Sequence, residues 1–315
     1  MTSQTRKLSF IGLAFVLALL LSAYTLAPNR ASAQSTQAAV PATSSTVHFI
    51  QIAYAATLSG DSTYLNNINT NNKPNALLFV TPNLTPFGVP YPSDPHPVGV
   101  WYNTSLKEWA IFNEDKALMP LNAAFNVMVV AVPGSFGGTV FVQTAAPYNI
   151  SFNSTYIQNV ITNGNPPAQL LITQNYNPGG IGGMYNPHHV GVWYNNSLKE
   201  WAIFNQDKAT MTSGVNFNVM VGSTASGGGK EFLQTTTSLN RSGNATSINN
   251  PATNGLPNGV LFVTANWNPG GIGGTYDPHP VAVQYNTGSG EWMIVNEDGS
   301  TMLLQAAFNV IAFAS

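Results

Sequence analysis

One stretch of this chain is written three times, and that repetition limits the fold more than any other feature. Residues 93–119 read SDPHPVGVWYNTSLKEWAIFNEDKALM, residues 185–211 read YNPHHVGVWYNNSLKEWAIFNQDKATM, and residues 276–302 read YDPHPVAVQYNTGSGEWMIVNEDGSTM. Between 96–119 and 188–211 only four of twenty-four positions differ. Flanking landmarks recur in the same order: Phe-x-Gln at 49–51, 141–143 and 232–234, Thr-Asn-x-x-Pro at 70–74, 162–166 and 253–257, and Phe-Asn-Val at 125–127, 217–219 and 308–310. Copies one and two are offset by 92 residues, copies two and three by 91. A fixed period marks a repeat architecture, in which one supersecondary unit must fold in every copy. The single length change falls where VPGSFGG in copy one meets STASGGG in copy two. Insertions and deletions settle where the chain is exposed, so 133–138 and 223–229 read as linkers between repeats at 46–132, 139–222 and 230–315.

Each copy reads as β throughout. FIQIAYA, ALLFVT, VGVWYN, EWAIFN and AAFNVMVV are β-branched and aromatic runs separated by Asn, Gly and Pro, the mark of short strands. Asn195-Asn196-Ser197 and Asn286-Thr287-Gly288 are turn sequences that predict a hairpin from VGVWYN to EWAIFN. About six strands in roughly ninety residues fits a small antiparallel β-sandwich or barrel. The expected fold is all-β, with three such units as separate beads, since a unit of this size can enclose its own core. The alternative is one closed body with three-fold pseudosymmetry.

Residues 1–33 read as a secretory signal peptide: Arg6 and Lys7, an apolar run over 8–21, and Ala31-Ser32-Ala33 before the cleavage point. Residues 34–45 are a flexible leader. The expected location is therefore extracellular or at the cell surface, with no membrane association after cleavage. The chain has no cysteine, which excludes disulfides, thiolate catalysis and Cys-ligated metal. Charged residues are 7% of the chain and the net charge is −2, against a usual charged fraction of about 25%. Nothing here would capture nucleic acid, whose binding rests on neutralising phosphates with Lys and Arg.

The candidate site residues lie in and beside the repeated sentence. Copies two and three carry NYNPGGIGGMYNP (175–187) and NWNPGGIGGTYDP (266–278), whereas copy one has NLTPFGVPYPSDP (83–95). The glycine loop could hold Tyr176 with Tyr185, and Trp267 with Tyr276, open to a flat ligand, because glycines let a ligand approach the backbone. His188 and His279, like His96, follow Pro at a strand entrance, with rings expected on a carbonyl or on Asn186, Asp277 or Asp94. Asn205/Asp207 and Asn296/Asp298 suit turn chemistry, in which short polar side chains bond nearby N–H groups; with His188 and His279 they are also candidate ligand-binding residues, the Asn and Asp side chains bonding ligand hydroxyls. Trp201 and its equivalents are expected in the core, with an acceptor needed for each indole N–H. One carboxylate with amides is a thin oxygen set for calcium. No cofactor, metal site or catalytic residue is expected, since no nucleophile elbow or zinc-binding helix motif is present.

At N-x-N-P-G-G-I-G-G-x-Y-x-x-H-P-V-G-V-W-Y-N, W-A-I-F-N-Q-D and A-A-F-N-V the chain resembles a group of exported bacterial proteins built from tandem copies of a β-rich domain of unknown function. The resemblance covers nearly all of the chain after the signal peptide. It implies an all-β extracellular protein and assigns no activity. Taken together, the expected function is non-catalytic, multivalent binding of a neutral extracellular ligand such as a glycan or surface polymer. The alternative is a structural or adhesive surface protein with the repeats as spacers.

Overall fold

The structure, a computed structural model, describes residues 46–131, 133, 139–222 and 228–314. The expected signal peptide and leader lie outside the described residues, as do residues 134–138 and 223–227 of the expected linkers. Repeat one contains β1 (Thr46–Ile52), β2 (Leu58–Ser59), β3 (Ser62–Leu65), β4 (Leu77–Pro82), β5 (Val98–Asn103), β6 (Glu108–Asn113) and β7 (Ala124–Val130). Repeat two contains β8 (Val140–Thr144), β9 (Ile150–Ser151), β10 (Ser154–Ile157), β11 (Leu170–Asn175), β12 (Val190–Asn195), β13 (Glu200–Asn205) and β14 (Asn216–Val221). Repeat three contains β15 (Lys230–Thr235), β16 (Arg241–Ser242), β17 (Ala245–Ile248), β18 (Val260–Asn266), β19 (Val281–Asn286), β20 (Glu291–Asn296) and β21 (Ala307–Phe313). Among the described residues there is no α-helix.

Each repeat is a β-sandwich. In repeat one a three-stranded layer, β1-β7-β4, faces a four-stranded layer, β2-β3-β6-β5. Between them lies a private core that includes Leu78, Val100, Trp109, Ile111, Phe125 and Val127. The expected hairpin is present, pairing Val98 with Asn113 and Asn103 with Glu108. Its turn is fixed by Asn103, whose Oδ1 accepts from the Ser105 and Leu106 N–H groups. The β2–β3 hairpin, only two and four residues long, is too short to stand out in the sequence. Trp109, Trp201 and Trp292 are fully buried. Each indole N–H donates to a carbonyl in the Thr-Asn-x-x-Pro segment: Lys73, Asn165 and Leu256 respectively.

The bead arrangement is overturned. β11 of repeat two pairs in parallel with β5 of repeat one, Gln174 to Gly99 and Asn175 to Val100. β18 of repeat three pairs in the same register with β12 of repeat two, and a parallel bridge from Asn83 to Val283 joins repeat one to repeat three. Every four-stranded layer thus continues into the three-stranded layer of another repeat, and the ring closes. Gly191 makes room for this contact, since a Cβ there would lie 3.0 Å from the Ala265 carbonyl oxygen.

The physical reason is the second face of the three-stranded layers. A sandwich unit needs each strand apolar on one face only, yet β7 and β21 are buried along their whole length. Leu77, Phe79 and Met128 meet Leu171, Met220, Phe262 and Ile311 in a shared central core. The Asn of each Phe-Asn-Val ties this core: Asn126 Nδ2 donates to the Leu261 carbonyl, Asn218 to Leu78 and Asn309 to Leu170. A ring of threonines repeats the pattern, with Thr173, Thr264 and Thr81 accepting from the N–H groups of Val80, Ile172 and Val263. Buried polar groups are costly unless bonded, and here each bond crosses from one repeat to another.

Candidate functional site

The glycine loop is first of all a joint. Asn177 grips β5 of the neighbouring repeat through both backbone atoms of Tyr102: Oδ1 accepts from its N–H at 2.7 Å and Nδ2 donates to its carbonyl at 3.0 Å. Asn268 makes the same pair of bonds to Tyr194. In copy one Thr85 replaces the Asn and accepts from the Tyr285 N–H alone.

Docking assembles the expected aromatic pairs together with partners from the next repeat. Tyr176 and Tyr185 lie 4.7 Å apart, and both meet the edge of Phe112 at about 6 Å. Trp267 and Tyr276 lie 5.6 Å apart, against Trp193 and Phe204. The rings are not open on both sides. A Cβ on Gly183 would lie 2.1 Å from Tyr176, and one on Gly274 the same distance from Trp267, so the loop's own backbone covers one face of each. What remains is a cavity of about 120 Å³ lined by Asn153, Ser154, Trp193, Phe204, Trp267 and Tyr276. The buried Trp267 indole N–H has no acceptor, whereas the Trp193 N–H reaches Ser154 Oγ. Lys208 Nζ sits 4.6 Å above the Tyr276 ring, and Lys116 sits over Tyr185 likewise.

Two junctions carry such aromatic clusters, and the cavity lies at the one between repeats two and three. At the third, the equivalent positions are Leu84 and Ser93 facing Gln284 and Val295. The departures of copy one and copy three therefore meet at one place, because the loop of repeat one docks on repeat three through the Leu84 N–H to the Val283 carbonyl. Sequence reasoning found the loop aromatics and missed Trp193 and Phe204, which belong to another copy. The available signal was VGVWYN itself, whose Trp193 points away from the private core yet is only half-buried.

The remaining candidates form a second group. His188 Nδ1 lies 2.6 Å from Asp207 Oδ2, and His279 Nδ1 lies 2.7 Å from Asp298 Oδ2, with His96 and Asp115 matching them. The expectation that Asn186, Asp277 or Asp94 holds the rings is corrected. Those residues are buried and engage Asn205, Asn296 and Asn113 instead. The expected turn chemistry holds: Asp207 Oδ1 accepts from Ala209 N–H and Asp298 Oδ1 from Ser300 N–H, while Asn205 and Asn296 donate to the Ala209 and Ser300 carbonyls. Burial would raise the Asp298 carboxyl, but its bonds from Ser300 and His279 hold it below the ordinary value. Burial pushes Asp94 and Asp277 up to about 6.

The residue between Asn and Asp reaches across the junction. Glu114 Oε2 accepts from the Asn186 N–H at 3.0 Å, and Glu297 Oε1 accepts from the Ser93 hydroxyl and the Asp94 N–H. Burial pushes both carboxyls up to about 8. Among the described residues no three His, Asp or Glu side chains are placed to hold a metal ion.

The family described as Domain of unknown function (DUF7452) matches residues 33–129, 129–221 and 196–312. The chain belongs to the DUF7452 family. Each DUF7452 copy corresponds to one sandwich of the closed ring, and the family description names no activity. No curated protein and no solved structure matches the chain.

Proposed function

We propose that this DUF7452 protein is an exported, non-catalytic binding protein that takes neutral glycan units at its two aromatic junctions. The observation that carries this reading is the Trp267 indole N–H, buried without an acceptor in the wall of a cleft that also presents Trp193, Tyr276, Asn153 and Ser154. A sugar supplies both things such a cleft lacks: a C–H face to lie against an aromatic ring, and oxygens to accept from the N–H and pair with the amide and hydroxyl. The cavity is well below the ~300 Å³ at which pockets for larger ligands begin, so it holds part of one ring, such as a chain end. Two aromatic junctions on one chain gain affinity for a multivalent polymer without new contacts.

Three repeats wound about one axis give less support to the alternative, an extended spacer in a structural or adhesive protein. The test is a polysaccharide pull-down followed by calorimetry on wild type, Trp267→Ala, Tyr176→Ala and Trp267→Phe. Trp267→Phe keeps the ring and removes only the N–H, so it should fold normally and still lose affinity. Absence of binding to every glycan offered, or binding unchanged in all three variants, refutes the reading.

A further inference from the structure

Closing the ring creates a pocket that no single repeat contains. It has a volume of about 90 Å³, and its lining draws on equivalent residues of all three repeats, which places it on the pseudo-threefold axis. Val80, Ile172 and Val263 supply an apolar wall, while Gln206 and Glu297 supply side-chain oxygens. Glu297 Oε1 is satisfied by Ser93 and Asp94, but its Oε2 is buried with no partner. His96, His189 and His279 also line the pocket. Burial pushes His189 down to about 4, so its imidazole is neutral. Asp115, Asp207 and Asp298 all lie near enough to act on His189, so carboxylates from every repeat gather around it. No Lys or Arg is among the lining residues. The nearest lysines in sequence, Lys116 and Lys208, are turned over Tyr185 and Tyr276.

We propose that this axial pocket binds the ammonium end of a short primary amine, supplied either by a free alkylamine or by a lysine side chain of a partner. Glu297 Oε2 is the main acceptor, the Gln206 amide oxygen assists, and the aliphatic wall covers the first carbons. Size sets the limit on chain length: a dry cavity of about 150 Å³ takes benzene, so this one takes three or four heavy atoms. Anions are disfavoured by the surrounding carboxylates.

Glu297 carries its proton in the empty pocket at neutral pH, because burial holds it near 8. An arriving ammonium displaces that proton, so affinity rises about tenfold per pH unit up to 8 and levels above it. The titratable groups facing Glu297 are Asp94, Asp298, His96, His189 and His279. Asp94 and His189 have finished titrating below pH 7, and measurements between pH 7 and pH 9 avoid them.

The experiment is calorimetric titration of the full chain with ethylammonium chloride and, separately, with Nα-acetyl-lysine methylamide. Variants Glu297→Gln and Glu114→Gln are run in parallel. Glutamine already fills this position in repeat two as Gln206, so both variants should fold, and Glu114 does not line the pocket. Expected are one-to-one binding with proton release at pH 7, loss of affinity by tenfold or more and of the pH dependence in Glu297→Gln, and wild-type binding in Glu114→Gln. Binding of ethylammonium alone assigns a free amine, and binding of the lysine derivative assigns a partner's side chain. No binding of either probe at about 20 mM, a Kd bound worth only ~2 kcal/mol, overturns the proposal, as does equal binding by Glu297→Gln. Sugar binding at the junctions is read independently, since neither the junction cavity nor Tyr176, Tyr185 and Phe112 share a residue with the axial pocket.

Discussion

Glu114→Gln should make the protein more stable in alkali and flatten its pH dependence. Glu114 is 2% exposed, wedged at the junction of repeats one and two with only the Asn186 N–H on its Oε2. Burial lifts its carboxyl from 4.5 to about 8, with the Asn186 bond offsetting part of the shift and Asp61 adding to it. The folded chain keeps this proton up to about pH 8, while the unfolded chain releases it near 4.5. Between those values the unfolded state binds fewer protons, so stability falls as pH rises and levels off above 8. At 1.36 kcal/mol per unit the full shift corresponds to at most ~5 kcal/mol, and about 2–4 after relaxation of the site. Asp94 and Asp277 contribute in the same direction, but only up to about pH 6. His189, lowered to about 4, and His48, also lowered by burial, act in the opposite direction and have largely finished by pH 7. The interval from pH 7 to 9 therefore isolates Glu114 and Glu297. Urea unfolding at both ends of that interval is expected to show wild type losing stability, Glu114→Gln losing about half as much, and the double variant with Glu297→Gln losing almost none. Equal losses in all three chains would show that these carboxyls are already ionised at neutral pH, and the reasoning fails.

The closed ring makes further outcomes specific. Asn218→Ala strands the Leu78 carbonyl and the Asn175 amide, which should cost about 2–3 kcal/mol in denaturant unfolding. Gly274→Ala drives a Cβ into the Trp267 ring at a backbone φ of +147°, so the loop must leave its dock; quenching of Trp fluorescence by acrylamide should rise. Trp201→Phe keeps most of the buried ring but loses the N–H bond to the Asn165 carbonyl, a loss of about 1–2 kcal/mol by the same assay. A chain cut to residues 46–131 exposes Leu77, Phe79 and Met128 from the central core, and by light scattering it should associate rather than stay monomeric.

How much of this was legible beforehand varies with the range of the interaction. The β5–β6 hairpin could be read because its turn residues and alternation are local. So could the burial of Trp201, and the turn made by Asp207, whose acceptor bond spans two residues. The Asp207–His188 pair spans nineteen, and the sequence offered nearer partners that the fold uses elsewhere. Trp193 and Phe204 escaped notice as cleft residues because the loop that completes their cleft belongs to the following copy. Leu84 departs from its equivalents in one repeat and Gln284 in another; only their meeting at the third junction makes them one event.

The amino-acid sequence by itself determined the unit: a small antiparallel β-sandwich or barrel of about ninety residues, copied three times, with Trp and Ile packed inside and Asn, Gly and Pro at its turns. Periodicity and turn chemistry act over a few residues, so they survive in a linear reading. Tertiary structure decided how the units meet. One clue was present in AFNVMVV, which is apolar on both faces where a lone sandwich needs one, with an Asn placed to cross between repeats. A strand can state that both faces must be buried, but not what will bury them. That depends on surfaces brought together from ninety or more residues away, and the clefts, the buried glutamates and the axial pocket exist only once the ring has closed.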